Sequence, residues 1–268
     1  MIEHFKPAGH KAQDLSDIVL PKETFKPIQR VVKRPNFLGK LLGKKEQTVG
    51  YLYRDVEYKR GYVDDVVLSA GLLGGRRRPL CWAHPEWKQY EEDEIGNPAG
   101  WFVPSGPLIA ELCYRTQQDG GPIGNEAQQS WHKTFDKRRY IVHTSTIIDY
   151  NEGNAHITHD QMEPGLDAEI PASDRIILSE TSDPVIEKFL YGLFGKRYNI
   201  AHTVFGRYGT PVQVWIGSRH RRILSLNANI DNNFYIDADN SVYNVRSVRG
   251  VAVAKTLLNN KRYEVRDD

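Results

Sequence analysis

Cysteine is scarce: the 268 residues hold only Cys81 and Cys113, and neither belongs to a CxxC pair. Two thiols exclude a disulfide framework, and a reducing compartment is the expectation. Long apolar runs are also missing. Stretches such as residues 251–254 fall far short of the roughly 20 residues a spanning helix needs, and mean hydropathy is −0.56. No membrane partner is therefore expected. The first residues lack a basic patch followed by an apolar stretch, so no secretory signal is expected and the chain reads as soluble. An excess of one charge is missing too, since 36 Lys+Arg face 34 Asp+Glu for a net +2.

That balance hides segregation. Residues 1–48 carry ten basic and five acidic groups, a net +5; residues 146–187 carry ten acids and one base, −9; residues 196–268 carry twelve bases and six acids, +6. Such blocks either neutralise one another within the fold or meet complementary surfaces on neighbouring subunits.

Residues 1–48 read as an extended Pro/Lys-rich arm. Pro7, Pro21, Pro27 and Pro35 each fix φ and push the preceding residue toward extended geometry, so no long helix passes through them. Between them lie short apolar patches, Phe37-Leu38 and Leu41-Leu42 included, too scattered for a core but suited to docking on another surface.

A single β-rich domain is expected over 49–268, with long loops at 71–107, 117–130 and 149–174. Aromatic and β-branched runs on either side of Gly61 predict a hairpin. Residues 108–114 read as strand or helix. The clearest helix is 184–194, where Asp183 can cap, Pro184 takes the first position, and Ile186, Phe189, Leu190, Leu193 and Phe194 form one apolar face before Gly195. Strands are expected at 139–150, 175–178, 200–205, 212–216, 223–226, 234–236, 242–245 and 251–254, with connections short enough for mostly antiparallel pairing. The expected fold class is α+β or mainly β: an antiparallel, sandwich-like body with one amphipathic helix and an N-terminal arm.

Candidate chemistry begins with His132, His143, His156 and His159 beside Asp160. The last three histidines and Asp160 could gather around a metal, although their spacing matches no standard zinc pattern. The sequences His143-Thr144-Ser145 and His156-Ile157-Thr158 also resemble the His-x-Ser/Thr pairs of two-histidine phosphoesterases, a resemblance that implies paired acid and base imidazoles. Cys81-Trp82 together with His202 resembles the nucleophile and base of papain-like hydrolases, but Pro79 and Pro85 bracket the cysteine where that family has its central helix. Glu57-Tyr58-Lys59 and Glu86-Trp87-Lys88 match half of a metal-dependent nuclease site.

Cations supply a different kind of candidate. Arg76, Arg77, Arg78, Arg219, Arg221 and Arg222, with Lys40, Lys44 and Lys45, could meet phosphates or an acidic partner. No cofactor is expected. The reading this sequence favours is a non-enzymatic structural or connector subunit of a large assembly, with a phage or virus particle component (neck, tail or capsid-associated) as the case in view. It would form homo-oligomers and contact other subunits through the arm and its charged surfaces, in the virion or host cytoplasm. Two alternatives stand beside it: a hydrolase, phosphodiesterase or nuclease using residues 132–160, and a nucleic-acid-contacting protein using the arm and arginines.

Overall fold

The computed structural model describes residues 23–35, 37–74, 79–136, 141–159, 165–178, 183–228 and 231–267. Strand β1 (Gln29–Lys33) runs between Pro27 and Pro35, and the short helix α1 (Phe37–Leu41) links it to β2 (Gln47–Lys59). The expected hairpin follows, with Lys59 of β2 opposite Tyr62 of β3 (Tyr62–Ser69). Part of the segment read as an arm is therefore a strand of the body, with Val31 and Val32 buried.

Next come three helices: α2 (His84–Glu92), α3 (Gly106–Gln118) and α4 (Pro122–Phe135). They correct the expectation of one amphipathic helix and of loops at 71–107 and 117–130. Each has a proline in its first turn, where the missing N–H costs nothing. In α4 the buried Ile123, Ala127, Ser130, Trp131, Thr134 and Phe135 recur at helical spacing, a pattern diluted by glycine and glutamine.

Strand β4 (Val142–Asn151) turns into β5 (Asn154–Thr158) through Glu152 and Gly153, both at positive φ, the backbone a two-residue hairpin turn requires. β6 (Leu166–Glu169) and β7 (Arg175–Ile177) follow, so the expected loop at 149–174 contains strands. Helix α5 (Pro184–Phe194) is where the sequence places it, and the Asp183 carboxylate accepts from the N–H groups of Val185 and Ile186. Residues 200–205, expected as strand, instead belong to a 3-10 helix (Gly195–Ile200) and α6 (Ala201–Gly206). Ala201, Val204 and Phe205 are buried there at i, i+3 and i+4, one helical face.

The chain closes with β8 (Val212–Ile216), β9 (His220–Ala228), β10 (Phe234–Ser241), β11 (Val251–Val253), α7 (Ala254–Leu258) and β12 (Tyr263–Arg266). Residues 242–245 are turn and coil rather than the expected strand.

Among the described residues two sheets result, ordered β11-β3-β2-β1-β12 and β6-β5-β4-β9-β10-β8-β7. Pairing is antiparallel except between β8 and β10. Where a sandwich-like body was expected, α3 and α4 contact both sheets, meeting β1 and β2 on one side and β4 and β9 on the other. The fold is mixed α+β. Buried Arg249 ties the layers, donating to Ser69 O at 3.0 Å and Ser130 Oγ at 2.8 Å while lying 3.9 Å over the Trp131 ring.

Candidate functional site

The connection between β1 and β2 carries an exposed apolar tip. Phe37, Leu38, Leu41 and Leu42 are 76%, 66%, 69% and 75% exposed. The chain turns back through Leu42, whose N–H donates to Leu38 O at 3.0 Å. Single exposed leucines are ordinary, but clustered large apolar side chains with a charged rim mark a contact surface.

The rim here is basic. Exposed Lys44 and Lys45 follow the tip directly. The turn before β12 lies alongside, held where the Arg34 N–H donates to Arg262 O at 2.8 Å, and it adds exposed Lys261 and Arg262. The acids of this end are engaged: Glu264 pairs with Arg34 and Arg266, and Glu46 with Arg266 at 3.0 Å. Sequence reasoning noted these apolar pairs as docking patches, and it noted Lys44 and Lys45 separately. It missed Lys261 and Arg262, which reach the tip only through sheet pairing.

At the opposite end of β2 lies a cleft of about 460 Å³. Phe102, Leu108, Ile157, Leu166 and Phe194 supply apolar walls, and Lys59, Arg60 and Lys196 add cations. At its edge, buried Glu111 accepts from Arg197 at 2.6 Å and Arg115 at 2.7 Å. Burial pushes the Glu111 carboxyl up, but the two guanidinium groups more than offset this and hold it below its ordinary value.

The histidines occupy separate places. His143 is 1% exposed, and among the described residues neither ring nitrogen has a hydrogen-bond partner. Burial, and then the charges of Arg246 and His84, pull its pKa down to about 3. His156 meets Asp167 at 2.7 Å on the outside of β5. His159 lines the cleft, sharing a 2.9 Å hydrogen bond between Nδ1 and Thr146 Oγ1. His132 packs edge-on against Tyr208. Strand pairing explains the separation: Asp149 faces His156 and Ile147 faces Thr158, which carries His143 farther along β4. Asp160 lies outside the described residues. Among the described residues no three His, Cys, Asp or Glu side chains come together as a metal site requires.

The papain-like pair is not formed either. The Cys81 thiol shares a 3.1 Å contact with Ser247 Oγ and reaches Pro79 O at 3.7 Å, whereas His202 Nε2 lies 2.9 Å from Thr203 Oγ1 in α6. Trp82, next to Cys81, is fixed by backbone bridging to Arg246. Both nuclease-like carboxylates are engaged, Glu57 in the hairpin turn, accepting from the Gly61 N–H at 3.0 Å, and Glu86 at the start of α2, accepting from the Ala83 N–H at 2.7 Å.

Of the arginine candidates, Arg221 pairs with Asp149 at 3.0 Å and Arg222 with Asp239 at 2.7 Å. Arg219 lies in the exposed turn before β9. Arg76, Arg77 and Arg78 lie outside the described residues, as does the side chain of Lys40. No protein family model, curated protein or solved structure matches the chain.

Proposed function

We propose that the chain is a non-enzymatic subunit of a larger assembly that docks on another surface through the tip at residues 37–42. The observation that supports this reading is the tip itself, four large apolar side chains held in water on one short helix and its turn. Burying each against a partner is worth about 1.5–3 kcal/mol, and nothing in the body gains from exposing them. The assembly we have in view is of phage or virus type, a choice that rests on the Pro/Lys-rich first 48 residues and the segregated charge.

A variant with Phe37→Ser, Leu38→Ser, Leu41→Ser and Leu42→Ser tests this. Thermal unfolding of the variant should match the wild type to within a few degrees. Sedimentation should show association, with itself or with an added surface, for the wild type only. Identical sedimentation of the two under every condition rejects a docking tip.

A second reading is favoured by the cleft, whose apolar walls, lined also by Lys59, Arg60 and Lys196 against Glu57 and Glu111, suit an amphiphile. Saturable fatty-acid binding that Lys196→Glu weakens would support it. The hydrolase alternative needs His143, His156 and His159 in one place, and they occupy three.

A further inference from the structure

We infer that the surface the tip engages is an anionic lipid bilayer. This inference rests on the docking reading above and names the partner of that same element.

The argument is one of chemical complementarity. Phe37, Leu38, Leu41 and Leu42 offer apolar surface of the kind that lies at the boundary between head groups and acyl chains. Lys44 and Lys45, which follow the tip, and Lys261 and Arg262, on the turn bonded to Arg34, are exposed, and among the described residues none of the four forms a salt bridge. The nearby carboxylates, Glu46 and Glu264, are both taken by arginines. An apolar point flanked by exposed cations on the adjoining turns matches a surface that is apolar within and negative at its head groups.

Other surfaces fit less well. A nucleic-acid backbone meets the cations but gives three leucines and a phenylalanine nothing apolar to bury against. The cleft of a second copy offers apolar walls, but its lining sets Lys59, Arg60 and Lys196 against Glu57 and Glu111, so it offers a basic tip no excess of negative charge. Surface contact needs no spanning helix, and among the described residues no helix is long and apolar enough to cross a membrane. Geometry also permits the approach, because the tip forms the turn at one end of β1 and β2, and insertion leaves the strands undisturbed.

The test is co-sedimentation of the full chain with vesicles of phosphatidylcholine alone and with added phosphatidylglycerol. The wild type should bind the anionic vesicles and lose affinity as salt rises. Leu38→Ser with Leu41→Ser should weaken binding by on the order of tenfold or more, and Lys44→Glu with Lys45→Glu by about fivefold or more per lysine. Circular dichroism of each variant confirms that the fold is kept.

Absence of vesicle binding, alongside self-association that the tip substitutions remove, overturns the lipid assignment and leaves the docking reading standing. Binding that the serine substitutions leave unchanged marks a simple polyanion contact and likewise overturns it. Absence of both vesicle binding and tip-dependent association overturns the docking reading as well.

Discussion

Arg197 clamps Glu111 at 2.6 Å while its other nitrogens hold Glu23 at 2.5 and 2.8 Å. The guanidinium also lies 4.1 Å over the Tyr114 ring. One side chain thus fastens the segment leading into β1 to helix α3. Arg197→Ala leaves Glu111 buried with Arg115 as its closest remaining cation, and breaking a buried pair costs about 3–5 kcal/mol. Urea unfolding should show a loss toward the lower end of that range, because Arg115 still compensates in part. A loss below about 1 kcal/mol would mean that the clamp is not structural.

His143 makes stability depend on acid. Its folded pKa is about 3, against an unfolded value near 6.5, so below pH 6.5 the unfolded chain takes up a proton that the folded chain refuses. Stability from this group is complete above pH 6.5 and falls as the pH drops toward 3, by a few kcal/mol in all. Burial and then the Lys88 and Arg221 charges lower His84 to about 4, and it acts in the same direction. Unfolding free energy measured from pH 7 to 4 should decline for the wild type and decline less steeply for His143→Leu. Parallel profiles would contradict a buried neutral imidazole.

The two cysteines should differ in reactivity. Cys113 is fully buried in α3 and burial pushes its thiol well up, whereas Cys81 is half-buried. Thiolate and access govern alkylation, so iodoacetamide should label Cys81 in the native protein and both thiols after unfolding. Labelling of Cys113 at the Cys81 rate would show that α3 opens readily.

Gly106 sets the approach of α3 to α5. A Cβ at this position would stand 2.3 Å from Leu193 O and 2.7 Å from a Leu224 methyl, and the Gly106 N–H donates to Thr146 Oγ1 at 2.9 Å. Gly106→Ala should therefore destabilise by about 1–3 kcal/mol through overpacking, read as a lowered urea midpoint. An unchanged midpoint would place the helices farther apart than described.

The contrast between α5 and α4 shows what the sequence could reveal. In α5 the apolar face is dense and a capping aspartate, an N1 proline and a terminal glycine all agree, so the helix was legible. In α4 a similar face is built partly from Ala127, Ser130 and Thr134, residues that carry little hydrophobic signal although they are buried. Residues 200–205 misled because Ile200, Val204 and Phe205 are good strand formers, and burial against the core overrode that preference. At the tip, the apolar pairs were visible as patches without a core. Of the cations beside them, Lys44 and Lys45 were visible but Lys261 and Arg262 were not, because these arrive from more than 200 residues away through the pairing of β1 with β12. The histidines were close in sequence, but register, which spacing alone does not fix, set them apart.

The central claim is that the tip works by being buried in a contact. An environment-sensitive fluorophore on Phe37→Cys, in a Cys81→Ser background, reads that burial directly. With anionic vesicles added, the emission should shift to the blue and saturate, and the shift should be lost when Leu38, Leu41 and Leu42 are replaced by serine. A spectrum that stays that of a dye in water, with vesicles present and at every protein concentration, would contradict the account.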